Sequence, residues 1–367
     1  MINVGVIGCG HVAQAEYLPG LHSFTDRVKI VALFDVLEDR VNSVAAQYPG
    51  SKAYTSYDDF LAHTEGGKID LVFNLTPAPL HRDITARALE AGYSVYSEKP
   101  IAASVQEAIE LETIAKDHGL NFFCAPATMV TGRFRWMKEF IENGEIGDPI
   151  SIRATTAGMG PAAWRGYIGD PRVFYRPGVG PLIDIGVYLL HCITGLLGPA
   201  KRVQADGGIM YPKRKILVNH DFGAELDVTQ NDHYSINIEM ENGTHAHVFP
   251  SYATAATKSP WFEVYGTMGA ISVGRGQWYN GNGSSDVYKR DESAEGTAEG
   301  WTDNVPVPNP IAVDGILVAG ILHALDVIDG KEEQLLTAAH ATHVLEIMLA
   351  ADTSISTGES VSITSSF

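Results

Sequence analysis

Residues 3–13 read NVGVIGCGHVA, and the two halves of this stretch ask for different backbone geometry. Val4, Val6 and Ile7 form an apolar run of the kind found in strands buried on both faces. The run then ends in glycines. Gly8 permits a tight turn, Gly10 lets the backbone come close to a bound group, and Ala13 is small enough for helix and strand to pack closely. His11 and Val12 complete the turn. VAQAEYLPGLHSF continues at helical spacing, and KIVALFD reads as a second buried strand ending in Asp35. A strand, a glycine turn, a helix and an acid after the next strand together form a dinucleotide fingerprint. The turn and the helix N-terminus offer N–H groups to a pyrophosphate, and the acid accepts hydrogen bonds from a ribose 2′-hydroxyl. Asp35 would repel a 2′-phosphate, and Val36 beside it brings neither a hydroxyl nor a cation. The expected cofactor is therefore NAD in preference to NADP, placed by Gly8, Gly10, His11, Val12, Ala13 and Asp35.

Outward from this stretch, strand and helix patterns keep alternating to about residue 126. RVNSVAAQY is helical, DLVFNLT a strand, HRDITARALEAG a helix stopped by glycine, and YSVYSE a strand. AASVQEAIELETIAKDHG is another helix, and NFFCAP a further strand. Right-handed crossovers turn such an alternation into a doubly wound parallel sheet. Beyond residue 126 the period changes. The helix GRFRWMKEFIENGEIG leads to the strand PISIRATTA. KRVQADGGIMY, DHYSINIEMENGTHAHVFPSYA and WFEVYGTMGAISV alternate at period two with glycine or Asn-Gly turns, as antiparallel strands do. The polar stretch 274–310 reads as a surface excursion, and two helices close the chain. The expected class is α/β. Residues 1–126 form a Rossmann domain, and residues 127–367 form an α/β domain with an open, mainly antiparallel sheet, the C-terminal helices packing back on the first domain.

Composition narrows the partners. With 26 basic against 44 acidic residues the formal charge is −18, which repels phosphate backbones and anionic lipid and argues against nucleic acid and membrane partners. Cys9, Cys124 and Cys192 show no CxxC spacing, so a reducing, cytoplasmic compartment is expected. The first residues have no basic region before their short apolar run, so no signal peptide is expected. His245 and His247 share one strand face without an acid at ligand spacing, and no metal is expected.

"SVYSEKPIAAS", residues 94–104, places Lys99 directly after a buried strand, at the sheet edge where ligands of doubly wound folds collect. Pro100 biases Lys99 toward extended geometry, which aims the amine off the sheet. An ammonium facing a nicotinamide can bind a substrate hydroxyl and stabilise its alkoxide character as hydride leaves. Further on, PLIDIGVYLLHCITGLLG reads as one helix from Pro181 to Leu197. Asp184, Tyr188 and His191 then share a face, and an acid, a phenol and an imidazole are costly to bury on an otherwise apolar helix without a use. Tyr188 beside a lysine and His191 with its near-neutral pKa both suit proton transfer. Trp164, Arg165, Tyr167, Phe174, Tyr175 and Arg176 precede this helix, and Trp164, Arg165 and Tyr175 are the expected walls of a sugar pocket.

Across GCGHVA, "NLTPAPLHRDITARALEAGYSVYSEKPIAAS", "GVGPLIDIGVYLLH" and "FEVYGTMGAISV" the chain resembles the glucose–fructose oxidoreductase, inositol dehydrogenase and MocA family. The resemblance implies that Thr76, Pro77 and His81 run past the nicotinamide ribose. It implies that Glu98, Lys99 and Pro100 are the signature bearing the catalytic lysine, and that Asp184 is a substrate-binding or catalytic aspartate. Tyr188 matches the acid/base position, which is histidine in inositol dehydrogenases, and His191 matches a position for a polar substrate contact. It also implies that the outer sheet face builds dimers or tetramers. The expected activity is reversible hydride transfer between NAD and a secondary hydroxyl of a sugar, glycoside or polyol, with C3 of a glycosyl ring as one position. Two rivals stand beside it. One is a glycosidase that retains NAD and works by transient ring oxidation and elimination. The other is a catalytically silent NAD-binding regulatory protein.

Overall fold

The computed structural model describes every residue except 166, 168, 219, 220, 278 and 294–297. The chain divides into two compact units, Met1–Ala127 with Leu317–Leu345, and Thr128–Ile316 with Glu346–Phe367.

The first unit is built on β1 (Ile2–Ile7), β2 (Val28–Phe34), β3 (Lys52–Tyr54), β4 (Leu71–Asn74), β5 (Ser94–Ser97) and β6 (Phe122–Cys124). They lie in the order β3-β2-β1-β4-β5-β6, and all neighbours are parallel. Every residue of β4 and β6 is buried, as expected of parallel strands covered on both faces. Register sets up the site. Phe34 pairs with Ile7, Ile7 with Asn74, Asn74 with Ser97, and Ser97 with Cys124. The strand ends are therefore level, and the residues after them (Asp35, Gly8, Leu75 and Glu98) emerge along one edge. The order reverses between β1 and β4, the switch point where open α/β sheets bind ligands. The short edge strand β3 carries no clear apolar run, and the sequence pattern does not announce it.

The second unit carries a sheet ordered β16-β15-β14-β13-β7-β12-β11-β8-β17. Its strands are β7 (Pro149–Ala157), β8 (Ala200–Gly208), β11 (His233–Met240), β12 (His245–Ser251), β13 (Phe262–Gly266), β14 (Gly269–Val273), β15 (Ser285–Lys289), β16 (Gly300–Val305) and β17 (Val361–Ser362). β9 (Lys213–Lys215) and β10 (Glu225–Asp227) form a separate hairpin. β7 and β12 are parallel, and the other pairs of this sheet are antiparallel. Along β11 the side chains alternate, with Tyr234, Ile236, Ile238 and Met240 in the core. One face is thus apolar and packed, and the other polar and open, as in half-covered antiparallel sheets.

Two expectations are corrected here. The stretch 274–310 is more than a surface excursion. It supplies β15 and β16, because Val287 packs in the core and backbone pairing extends the sheet edge. Residues 278 and 294–297 of that stretch lie outside the described ones. The segment from Pro181 to Leu197 is also not one regular helix. Leu182–Gly186 is a π-helical turn, and an α-helix follows over Val187–Leu197. Wide turns of this kind are rare and recur at functional sites. Among the described residues no helix is long and apolar enough to cross a membrane.

Candidate active site

In the first unit the glycine turn is fixed by sterics. Gly8 has a φ of +89°, and a Cβ there would sit 2.9 Å from the Leu75 carbonyl carbon and oxygen. Gly10 is the opposite case, with no atom within 4 Å of where its Cβ would be. The turn is closed on the protein side and open on the other, which suits a group that approaches the backbone. Asp35 binds the turn from behind. Its Oδ2 accepts from the Cys9 amide at 2.9 Å, and Oδ1 accepts from the Leu37 amide at 2.9 Å. Arg40 stands 3.3 Å from Oδ2 and is 42% exposed, whereas Asp35 is 5% exposed. Val36 brings no cation, as its sequence reading has it, but the fold sets one beside Asp35. The cation comes from the following helix, Glu38–Ala45, and the adjacent residue Val36 could not reveal it. His11 and Pro77 are exposed, Val12 and Thr76 half-buried, and Ala13 is buried. These residues surround the open turn and the neighbouring strand end.

Lys99 follows β5 and is partly exposed, with a cis bond to Pro100. Its amide donates to Glu98 Oε2 at 3.0 Å, and the buried Tyr17 hydroxyl donates to Glu98 Oε1 at 2.6 Å. Glu98 and His81, expected beside the cofactor, are both enclosed. The ring of His81 is 1% exposed and contacts the carbonyls of Thr76 and Pro100. Both residues shape the loops from beneath, because their polar atoms are taken up by neighbours within the protein.

In the second unit, a cavity of about 450 Å³ opens at the ends of the parallel pair β7 and β12. Its lining includes Asp184, Tyr188, Trp164, Thr156, Tyr252 and Trp261. The carboxylate of Asp184 accepts a short hydrogen bond from the Tyr252 hydroxyl. Burial, with Asp184 next to it, pushes the Tyr252 phenol well above its ordinary pKa. At neutral pH Tyr252 is therefore a hydrogen-bond donor to Asp184. Its position is over-determined. The ring lies 5.7 Å from that of Tyr175 and 6.0 Å from that of Trp164, centroid to centroid. The backbone amide donates to the Asp232 carbonyl at 2.8 Å. The Tyr252 carbonyl accepts from Arg214, which forms a buried ion pair with Asp232 at 2.7 Å and lies over the Tyr175 ring.

Three expectations about this site change. Tyr175 does not wall the cavity. It is 1% exposed and lies in the apolar cluster beneath Tyr252, its hydroxyl accepting from the Ala162 amide and donating to the Met159 carbonyl. Arg165 is exposed and absent from the lining. His191 is 3% exposed and also absent from it, while Asp184 and Tyr188 are present. Tyr188 and His191 both lie on the α-helix Val187–Leu197, and His191, almost one turn further along it, is enclosed by the packing there. Tyr252 and Trp261 were missed, since each lies just outside a strand and joins Asp184 and Trp164 in the cavity lining only through the tertiary fold. Among the described residues no group of three His, Cys, Asp or Glu side chains is arranged to hold a metal ion.

Comparison with known proteins agrees with this architecture. Residues 2–125 match the oxidoreductase family with an NAD-binding Rossmann fold, and residues 134–272 match the GFO/IDH/MocA C-terminal domain. An uncharacterised oxidoreductase of Bacillus subtilis, YrbE, is 26% identical over 74% of this chain and 72% of its own length. The dTDP-3,4-didehydro-2,6-dideoxy-alpha-D-glucose 3-reductase of Actinomadura kijaniata is 29% identical over 66% of this chain and 73% of its own. Levoglucosan dehydrogenase, solved in complex with NADH, superposes with a TM-score of 0.82 at 21% identity, over 99% of both chains. The level strand ends around an open glycine turn and the matches across both parts of the chain lead to one assignment: this protein belongs to the Gfo/Idh/MocA family of NAD(P)-dependent oxidoreductases.

Proposed function

We propose that this enzyme is an NAD-dependent dehydrogenase acting on a secondary hydroxyl of a neutral sugar, glycoside or polyol. The observation that carries the reading is the second-unit cavity. One carboxylate, Asp184, lines it together with two phenols, Tyr188 and Tyr252, and two indoles, Trp164 and Trp261. Aromatic faces suit the C–H faces of a sugar ring, and the carboxylate and phenols suit its hydroxyls. Among the described residues the lining of this cavity carries no cation of its own, which suits a neutral sugar ring. Relatives named for sugar chemistry, including a 1,5-anhydro-D-fructose reductase from Ensifer adhaerens at 24% identity, support the substrate class.

NAD, when bound, accepts the hydride. On this reading the Lys99 ammonium orients the reacting hydroxyl and stabilises its developing negative charge. Asp184, held by the Tyr252 hydroxyl, accepts a hydrogen bond from the substrate. Tyr188, as its phenolate, takes the hydroxyl proton and becomes the neutral phenol, and we prefer it to His191 because Tyr188 lines the cavity and His191 does not. NAD is favoured over NADP because the Asp35 carboxylate sits behind the turn, although Arg40 tempers that discrimination. C3 of a glycosyl ring is our choice for the reacting carbon. We also place the enzyme in the cytoplasm, as a dimer or tetramer built on the open sheet face that carries Arg153, Glu239 and His247.

The test is a screen of aldoses, inositols and glycosides for NADH formation, with mass spectrometry of any nucleotide that co-purifies. NADH formed in proportion to a neutral sugar or polyol supports the reading. Aglycone released without net NADH would replace it with the NAD-retaining glycosidase. Full activity in a Lys99→Ala variant would remove the lysine from the chemistry.

A further inference from the structure

We propose that His81 is the positioning residue for Lys99, tying the backbone that follows the lysine to the loop after β4 through its two ring nitrogens. This rests on the reading that Lys99 acts on the substrate. His81 opens the helix His81–Glu90 and is buried. Its Nδ1 lies 2.6 Å from the Pro100 carbonyl oxygen, and its Nε2 lies 2.8 Å from the Thr76 carbonyl oxygen. Turning the ring over would leave carbon atoms at both carbonyls, so this orientation is the one that makes bonds.

The ring belongs to a buried polar network under the sheet edge. Asn74 Oδ1 accepts from the Thr76 hydroxyl at 2.6 Å, and Asn74 Nδ2 donates to Thr85 Oγ1 at 3.0 Å and to the His81 carbonyl at 3.3 Å. On the far side, the Lys99 amide donates to Glu98, which Tyr17 also holds. The lysine is thus gripped before and after its Cα, by Glu98 at its own amide and by His81 at the carbonyl of Pro100, the following residue. Buried networks with satisfied partners hold a single geometry, which a catalytic amine requires.

Two carbonyl oxygens at 2.6 and 2.8 Å call for two N–H donors, so this geometry is that of the charged ring, held by the two bonds it makes against the burial that opposes its charge. Burial is the largest influence on this balance and pulls the His81 pKa below its ordinary value. The two carbonyls and the Glu98 carboxylate act the other way, and Lys99 adds to the effect of burial.

The experiment compares His81→Gln and His81→Leu with the wild-type full chain. Gln can reach one of the two carbonyls and Leu neither. Amide hydrogen exchange at Lys99 and Thr76 should quicken at least tenfold in His81→Leu and by less in His81→Gln, with β1 amides unchanged. The turnover number with the best sugar should fall in the same order, with the sugar KM within about threefold. Unchanged exchange at Lys99 would overturn the inference. So would equal losses at β1, which would mark His81 as general scaffolding. Faster exchange at Lys99 with unaltered turnover would keep the brace and instead refute the catalytic role of the lysine. If His81→Leu does not fold, the graded effect of His81→Gln decides alone.

Discussion

The hydroxyl of Tyr252 is a single oxygen whose removal should separate catalysis from stability. In Tyr252→Phe the ring keeps its packing on Tyr175 and Trp164, and its backbone bonds to Asp232 and Arg214 are untouched. What is lost is one charge-assisted hydrogen bond to the Asp184 carboxylate. Hydrogen bonds to charged groups contribute roughly 1.5–3 kcal/mol. At about 1.4 kcal/mol per decade, full expression of that loss in the reaction lowers kcat/KM by about 10- to 150-fold. The melting temperature should change little, because Asp184 is half-buried and can recruit water. The assay is a double-mutant cycle on kcat/KM with Asp184→Asn. If Tyr252 acts through the carboxylate, adding Tyr252→Phe to Asp184→Asn should cost far less than adding it to the wild type. Equal losses in both backgrounds would refute the reasoning, as would a kcat/KM of Tyr252→Phe indistinguishable from wild type.

Lys99→Met should lower kcat by about a hundredfold or more, the range for removing one donor to a developing oxyanion, while NADH binding followed by fluorescence stays near wild type; a large loss of NADH affinity would make the lysine a cofactor ligand. Arg40→Ala should weaken NADPH binding more than NADH binding, and Asp35→Ala should do the reverse; titrating both nucleotides against both variants decides whether this ion pair sets the preference. Gly8→Ala forces a side chain into the Leu75 carbonyl at a positive φ. Left-handed geometry alone costs roughly 1–2 kcal/mol, so a lower melting temperature and lost nucleotide binding are expected together. Burial pushes the thiols of Cys9 and Cys192 up to about 12 and that of Cys124 well above its ordinary value. Each is therefore a protonated thiol at neutral pH, and a thiol reagent should modify the native protein slowly and the unfolded protein at three sites; rapid native labelling would contradict this burial.

The first unit was legible because its signals are local. The run Val4–Ile7, the glycines after it and the acid after β2 each state their own backbone requirement, so the nucleotide edge follows from spacing. Lys99 was legible for the same reason, as a charge placed at the end of a buried strand. The aromatic loop was less so. Trp164 and Tyr175 have similar composition and neighbours, yet one is at the cavity and the other beneath it. That choice is made by the Ala162 amide and the Met159 carbonyl, which claim the Tyr175 hydroxyl.

Sequence alone determined the class of fold, the glycine turn, the lysine after β5 and the helix that bears Tyr188, since each depends on residues close in the chain. Only the tertiary structure decided that Arg40 neighbours Asp35, that Tyr252 donates to Asp184, and that His191 is enclosed while Tyr188 lines the cavity. Side-chain partners from separate elements meet only after the sheets pack, and the elements packed against a helix decide which of its polar residues stay open to a cavity.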